Sequence, residues 1–299
     1  MNLKLLSEVK NKREDTMKAR QSAALPPVPA FSSSAGPIIT LLTDFGTADY
    51  FVAAMKGVIL SANPQARIVD ITHEIPPQDV EAGAFILLTG CSSFPPGTIH
   101  VAVVDPGVGS SRKPILIAAG GQFFVGPDNG LFSYVCDQLL VSEIIHLTTA
   151  KYFRQPVSTT FNGRDIFAPV AAALSAGIKP GELGTKIEVC VRLEGLKPGT
   201  YRKGKIKGRV VHIDRFGNCV TNVTRNELSL AQIKAGASLR VKGKTIKSFR
   251  NYFAEESESR DKIFAVWGSA GFLEIAAANK SAAKLLKIHR GDSVVVSPL

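Results

Sequence analysis

Acidic side chains follow several predicted strands at the point where each strand ends. Asp44 lies in the turn TDFG, Asp70 and His73 lie in VDITH, and Asp105 begins the loop DPGVGSSR. In α/β proteins ligands bind outside the carboxyl ends of the strands, so these residues predict one pocket at that edge of a sheet. A carboxylate there can orient a water molecule, bind a hydroxyl group or a cation, or cap a turn or a helix.

The loop Asp105–Arg112 combines an acid, a base and two glycines. Gly107 and Gly109 permit tight turns or a close approach of the backbone to a ligand. The loop has no third glycine, so it is not the fingerprint of dinucleotide-binding proteins, and the stretch GKT at 243–245 lacks the first glycine of a phosphate-binding loop. Two interpretations of the Asp105 loop stay open, a ligand site and a salt-bridged surface loop.

The elements that must position these residues alternate between strand and helix. Apolar runs predict buried strands at Ile38–Leu42, Arg67–Ile71 and Thr98–Val104. A helix is predicted over Tyr50–Ser61, and Asp79 can cap a second one. A hairpin and two further helices follow: Pro114–Ala119 with Gln122–Val125, Leu131–Leu140, and about Arg164 to Gly177. This alternation predicts a βαβ arrangement with a largely parallel sheet.

After residue 196 the pattern changes to short alternating runs with one late helix, which indicates an antiparallel sheet. The predicted strands are Lys207–Ile213, Asn218–Val223, Ser238–Val241, Lys262–Trp267, Phe272–Ile275 and Ser293–Val296, and the helix is Lys280–Leu286. We therefore predict a flexible basic extension over 1–37, an α/β domain with a largely parallel sheet over 38–196, and a barrel-like β-domain over 197–299.

The net charge of +11 is unevenly distributed along the 299 residues. It is +3 over residues 1–37, −4 over 38–196 and +12 over 197–299. Basic runs at 202–209 and 240–250 could bind nucleic acid, but only Phe249 lies between their charges, so stacking on bases has little support. Solvated strand faces explain these runs better, and no nucleic-acid partner is expected.

Cysteine and histidine spacing predicts no metal site. The four cysteines include no C-x-x-C pair and the five histidines no H-E-x-x-H pair, which predicts reduced thiols in the cytoplasm. No apolar run reaches ~18 residues, so no membrane span is expected. The N-terminus alternates its charges too early for a secretory signal.

Seven blocks in order resemble the S-adenosyl-L-methionine (SAM) hydroxide adenosyltransferase family, whose relatives are chlorinases and fluorinases. They are TLLTDFG, VDITHEIPPQDVEAGAF, VDPGVGSSR, GPDNGL, TFNGRDIFAP, IDRFGN and GSAGFLEIA. The resemblance implies an α/β domain, a β-barrel-like domain, and a homotrimer with sites between neighbouring subunits. It also implies hydrolysis of SAM to adenosine and L-methionine by attack of water or hydroxide on ribose C5′, with no cofactor beyond SAM.

The resemblance further assigns residues. Asp105 and Arg112 match the family's catalytic Asp and Arg, whereas Asn162 stands where the hydroxide enzymes carry His. Asparagine can form hydrogen bonds but cannot titrate near neutrality. The implied substrate-binding residues are Asp44 for the ribose hydroxyls, Asp214 for the methionine ammonium, Ser269 for its carboxylate, and Asn218 with Phe216 for adenine. Phe216 could equally be a core residue.

Two other functions remain alternatives. Asn162 could mark a protein that binds SAM without hydrolysing it. A SAM-dependent halogenase has less support, because those relatives carry Tyr in place of Asp105. A fixed carboxylate would repel a halide by about 4 kcal/mol at ~4 Å and an effective dielectric constant of roughly 20.

Overall fold

Two β-sheets follow one another along the chain. The computed structural model describes residues 36–201, 204–255 and 262–298, so nearly all of the predicted extension 1–37, and residues 202 and 203 of the first basic run, lie outside it. The first sheet and its helices are β1 Ile38–Thr43, α1 Phe51–Ala62, β2 Arg67–Thr72, α2 Val80–Cys91, β3 Ile99–Val103, β4 Pro114–Ala119, β5 Gln122–Pro127, α3 Ser133–Gln138, β6 Val141–Leu147, α4 Ala168–Ser175 and β7 Gly184–Ile187.

The first sheet has the order β2-β1-β3-β5-β4-β6-β7. The first four of these strands are parallel, and β4, β6 and β7 extend the sheet in antiparallel pairings. Strand residues alternate between two cores, since Ile39 and Leu41 pack with α1 and α4 whereas Leu42 packs with α2. The predicted α/β region with a largely parallel sheet is therefore confirmed.

The second sheet begins at residue 199. Its elements are β8 Gly199–Tyr201, β9 Lys205–Ile213, β10 Cys219–Thr224, α5 Leu230–Lys234, β11 Ser238–Val241, β12 Lys244–Ile246, β13 Phe249–Arg250, β14 Ile263–Trp267, β15 Phe272–Ala277, α6 Ala282–Leu286 and β16 Ser293–Ser297. The order is β12-β11-β16-β9-β10-β15-β14-β13, with β8 also paired to β9. Only β13–β14 is parallel among these pairings, and β12 contacts β14, so the sheet is nearly closed around its own apolar core, as predicted.

Helix α2 joins the two sheets. Asp79 caps it by accepting a hydrogen bond from the Ala82 N–H at 3.0 Å. The Phe85 ring lies 5.4 Å from the His212 ring and 5.3 Å from the Phe272 ring, so one apolar core extends from the first sheet to the second. Two ion pairs cross the same boundary, Glu81–Arg209 at 2.7 Å and Asp79–Arg290. No helix in the described parts of the chain is long and apolar enough to cross a membrane.

Candidate active site

Asp105 and Arg112 form a buried ion pair at the carboxyl end of β3. The Arg112 Nε donates to both carboxylate oxygens of Asp105, at 2.9 and 3.0 Å, and its Nη2 contacts one of them as well. The Asp105 side chain is 5% exposed and that of Arg112 10%. A fork of parallel N–H donors fixes both the position and the orientation of a carboxylate. The loop is therefore salt-bridged, and the ion pair itself is buried rather than exposed.

Asn162 joins this pair from a distant part of the chain. Its Oδ1 accepts a hydrogen bond from Arg112 Nη2 at 2.6 Å, and its Nδ2 donates to the Ser158 carbonyl at 3.0 Å. The structure thus brings together the three residues that the resemblance assigns to the catalytic set. The same Arg112 Nη2 contacts Asp105 and Asn162, and Asn162 is itself buried.

Two backbone features allow these segments to meet. Gly109 has φ +79°, and a Cβ atom on it would lie 2.5 Å from the Thr159 carbonyl oxygen, so only glycine fits between the two loops. A π-helical turn over Gly163–Phe167 follows Asn162 and leads directly into α4. The sequence predicts a helix from about Arg164, and the structure corrects its first turn to this wider form, which is often found at functional sites.

Asp165 in this turn has a structural role. Its buried carboxylate accepts hydrogen bonds from Arg164 Nε at 2.7 Å, Arg154 Nη1 at 3.2 Å and the Ser158 N–H at 2.9 Å. Burial opposes its ionisation, but these hydrogen bonds outweigh burial and hold the pKa of Asp165 below its ordinary value. Arg164 and Asp165 thus fix the segment that carries Asn162.

A cleft of about 430 Å³ opens beside the Asp105 carboxylate. Asp44 lies on its wall, where its Oδ2 accepts the Gln78 N–H at 2.8 Å. Gln78 has φ +64°, a conformation that costs free energy for a residue other than glycine and that aims its N–H at Asp44. The rest of the wall is largely apolar and includes Phe45, Phe51, Pro77, Val108 and Phe161. A site with two carboxylates on an apolar wall can bind a hydroxylated, partly apolar ligand next to a held water molecule.

Asp70 and His73 do not line this cleft, so the prediction that they share it is wrong. Asp70 lies on β2, the edge strand, and His73 follows that strand and contacts the loop of Asp44 through its carbonyl. His73 Nδ1 hydrogen-bonds the Thr43 Oγ1 at 2.9 Å, and its Nε2 lies 3.1 Å from an Asp70 oxygen, whose partner oxygen pairs with Lys56 at 2.6 Å. Burial opposes ionisation of Asp70, but the contacts with Lys56 and His73 lower its pKa. Through His73, these contacts support the loop that carries Asp44.

The other predicted residues surround a second cleft, of about 680 Å³, on the second sheet. Asp214, Phe216, Asn218 and Ser269 all line it. Asp214 accepts hydrogen bonds from the backbone N–H groups of Phe216 at 2.9 Å and Asn218 at 2.8 Å, and from Asn218 Nδ2 at 2.8 Å. These hydrogen bonds hold the loop after β9 in place, with Asp214 and Asn218 on the cleft wall.

Phe216 is 77% exposed, so the alternative that it is a core residue is wrong. Ser269 lies in the tight turn between β14 and β15, where the Gly268 N–H donates to the Phe272 carbonyl at 2.9 Å. Sequence reasoning missed Phe253, a half-exposed ring on the cleft wall, and Glu274 beside Asp214. An aromatic residue in a polar loop was the only available signal for Phe253. Glu274 lies in the block GSAGFLEIA, which resembles the family, but the resemblance assigned no role to it.

Within residues 36–201, 204–255 and 262–298, no three His, Cys, Asp or Glu side chains converge on a point where they could hold a metal ion. The four cysteines are free thiols. The turn at Asp128 and Asn129 does not line either cleft. Asn129 Nδ2 donates instead to the Val104 carbonyl at 2.8 Å and so fixes the strand end that precedes Asp105.

A parallel α/β sheet with a carboxylate-lined cleft at its edge, followed by a nearly closed antiparallel sheet with a second cleft, is typical of proteins that bind small molecules. Comparison with known families identifies the group within that class. Residues 39–184 match the SAM hydroxide adenosyltransferase N-terminal domain and residues 208–295 match its C-terminal domain. The chain belongs to this family, as the resemblance predicts.

Individual relatives agree with this assignment. The (R)-S-adenosyl-L-methionine hydrolase of Methanocaldococcus jannaschii is 40% identical over 273 residues, which cover 87% of this chain and 95% of the relative. A fluorinase of an Actinoplanes species is 28% identical over 295 residues, covering 89% and 99%. The solved structure of an uncharacterized conserved protein from Thermotoga maritima superposes with a TM-score of 0.79 at 35% identity, covering 86% of this chain and 99% of that one.

Proposed function

We propose that this protein hydrolyses SAM to adenosine and L-methionine, and that its substrate is the (R) sulfonium epimer for which the hydrolase relatives are named. The observation that carries this proposal is the buried Asp105–Arg112 pair, braced by Asn162, on the wall of a cleft at the end of β3. Greater similarity to hydrolases than to the fluorinase supports water as the nucleophile.

The reaction needs an aligned nucleophile more than it needs an acid. Attack of the water oxygen on ribose C5′ breaks the C5′–sulfur bond, and methionine leaves as a neutral thioether that takes up no proton. The protein must hold the water opposite the sulfur, exclude competing water, and accept the proton that the water loses.

Asp105 is the acceptor that we assign to this water. Arg112 fixes its carboxylate from one side, which leaves the face on the cleft free to accept a hydrogen bond from the nucleophile. Asn162 cannot take a proton at neutral pH, so its role is to hold Arg112 in register. A carboxylate at this point also disfavours a halide ion.

Asp44 is the residue that we assign to the ribose. Its Oδ2 is held by the Gln78 N–H, so the carboxylate has a fixed orientation and can accept hydrogen bonds from two neighbouring hydroxyls. The apolar rings of Phe45, Phe51 and Phe161 would exclude bulk water from C5′.

The second cleft supplies the groups for the remaining parts of SAM. In this assignment Asp214 binds the ammonium, Ser269 the carboxylate, Asn218 the adenine edge and Phe216 its face. We propose a homotrimer in which each active site combines the Asp105 cleft of one subunit with the Asp214 cleft of another. The 77% exposure of Phe216 in the single chain supports a covering neighbour.

The reaction is tested by incubating the pure protein with each SAM epimer in heavy-oxygen water. We expect adenosine and methionine in equal amounts from the (R) epimer, with the label in the adenosine 5′-hydroxyl. A matched control is Asp137→Ala, since Asp137 also pairs with an arginine but lines neither cleft and should leave the rate unchanged. SAM binding without product would identify a binding protein, and 5′-chloro-5′-deoxyadenosine in the presence of chloride would identify a halogenase.

Shared sites are tested by mixing two inactive variants, Asp105→Ala and Asp214→Ala. If each site uses both subunits, reassociated mixtures regain part of the activity, whereas sites within one chain regain none. Sedimentation equilibrium gives the number of subunits directly. We place the reaction in the cytoplasm, where four free thiols agree with a reducing environment.

A further inference from the structure

Glu274 is a carboxylate in the second cleft for which the proposed reaction has no role so far. It lies on β15, in register with Val266 of β14 and Val220 of β10, and lines the cleft together with Asp214. Among the described residues its side chain has neither a hydrogen-bond donor nor an ion-pair partner. A partly buried carboxylate without a partner is unfavourable, so a ligand that supplies the missing contact binds with a corresponding gain.

The turn above Glu274 is built to admit this side chain. A Cβ atom on Gly268 would lie 1.8 Å from the Glu274 Oε1 and 2.5 Å from its carboxyl carbon. Every residue except glycine would therefore displace the carboxylate. Gly268 precedes Ser269, so Glu274 lies beneath the turn assigned to the methionine carboxylate and on the same wall as the acid assigned to its ammonium.

The charges around Glu274 favour its protonated form while the cleft is empty. Burial, and after it the negative charge of Asp214, raises the pKa of Glu274 to about 7. Lys280 lines the cleft without pairing to Glu274. His212 lies across the sheet, opposite Val220, and burial lowers its pKa and so disfavours its charged form.

We infer that Glu274 is a second carboxylate for the cationic methionyl end of the substrate, and that it gives up its proton to solvent as the substrate binds. The inference rests on the proposed function, which supplies the ligand. In the free protein Glu274 carries a proton in part of the molecules near pH 7. The positive charge of a bound ammonium or sulfonium offsets the negative charges of both carboxylates, so Glu274 ionises in the complex. Its O–H bond breaks, the proton goes to solvent, and an ion pair with the ligand replaces that bond.

This coupling gives affinity a specific dependence on pH. At pH 7 about half of the free protein copies carry the proton, so binding should release up to about half a proton per site. Between pH 6 and 7.5 the ionised fraction of a group with this pKa rises roughly eightfold, and the affinity for a ligand that carries the ammonium should rise by up to the same factor. A ligand with neither an ammonium nor a sulfonium should show neither effect.

The test uses the full-length protein and S-adenosyl-L-homocysteine, an unreactive thioether that keeps the ammonium, with adenosine as the neutral ligand. Calorimetric titrations at pH 7 in phosphate and in Tris, which differ in ionisation enthalpy, count the protons released. We expect release with S-adenosyl-L-homocysteine and none with adenosine, a comparison that needs no variant. In Glu274→Gln the proton release should vanish and the affinity should no longer change between pH 6 and 7.5.

Equal proton release by adenosine, unchanged release in Glu274→Gln, or no release from the wild-type protein would overturn the inference. Product formation from SAM is measured separately on the wild-type protein. Hydrolysis without proton-linked binding refutes the role of Glu274 alone, whereas proton-linked binding without hydrolysis refutes the proposed function alone.

Discussion

Asp105→Ala separates the structural contribution of the Asp105 carboxylate from its chemical one. The variant leaves the Arg112 guanidinium 10% exposed, with its hydrogen bond to Asn162 but without a counter-ion. Removing one partner of a buried ion pair costs about 3–5 kcal/mol. Because the pair borders an open cleft that water can enter, we expect about 3 kcal/mol of lost unfolding free energy, a fall of roughly 6–12 °C in Tm.

The double variant Asp105→Ala/Arg112→Met identifies the cause of that loss. It removes the stranded charge as well, so its unfolding free energy should return to within about 1 kcal/mol of the wild-type value. Urea denaturation followed by circular dichroism measures all three proteins. Adenosine formation should fall at least ~100-fold in both variants, since neither can accept the proton of the nucleophilic water.

Two results would refute this reasoning. An Asp105→Ala protein as stable as the wild type would mean that Arg112 is solvated in place, and a double variant less stable than Asp105→Ala would mean that packing, not charge, is lost. The control is again Asp137→Ala. Its carboxylate is 31% exposed and lies 3.8 Å from Arg192, so its loss should cost less than about 1 kcal/mol.

Three further predictions concern the loops and the thiols. Asn162→His should speed adenosine formation roughly tenfold or more, because a titratable ring can share the proton transfer; an unchanged rate in the product assay would mean that a titratable side chain at this position takes no part in that transfer. Gly109→Ala should lower the free energy of unfolding, measured by urea denaturation, by about 2 kcal/mol or more. Its control, Gly177→Ala, should lose only about 1 kcal/mol, because Gly177 also has a positive φ but has open space around it. Equal losses would contradict the close approach of Gly109 to the Thr159 carbonyl. Cys190 should react with iodoacetamide before Cys91 at pH 7. A hydrogen bond from the Cys136 thiol lowers the pKa of Cys190 to about 7, whereas burial raises the pKa of Cys91 to about 12. Peptide mass spectrometry measures the order of labelling, and earlier labelling of Cys91 would contradict this prediction.

Local patterns in the sequence predict the strands that carry the site. Asp44 and Asp105 follow β1 and β3, which are neighbours in the sheet, and both reach one cleft. Asp70 also lies near the carboxyl end of a strand. That strand is β2, which is at the edge of the sheet and one strand further from Asp105. Strand order is a non-local property, so the pattern of one strand cannot tell these two positions apart.

Other parts of the site depend on contacts that no local pattern contains. The helix predicted over Leu131–Leu140 ends at Gln138 in the structure, because β6 begins soon after it. The widened turn at Gly163–Phe167 depends on the ion pairs of Asp165, and the position of the Glu274 carboxylate depends on a glycine six residues earlier in the chain. Tertiary packing decides each of these features.

The loop before α2 connects the Asp105 cleft to the second sheet. Gln78 fixes Asp44 through its backbone N–H, and the next residue, Asp79, caps the helix and pairs with Arg290. A displacement of the second sheet would therefore reach the carboxylate assigned to the ribose through two consecutive residues, Gln78 and Asp79. Salt weakens partly exposed ion pairs, so ionic strength acts on the preorganisation of this site as well as on the joint between the sheets.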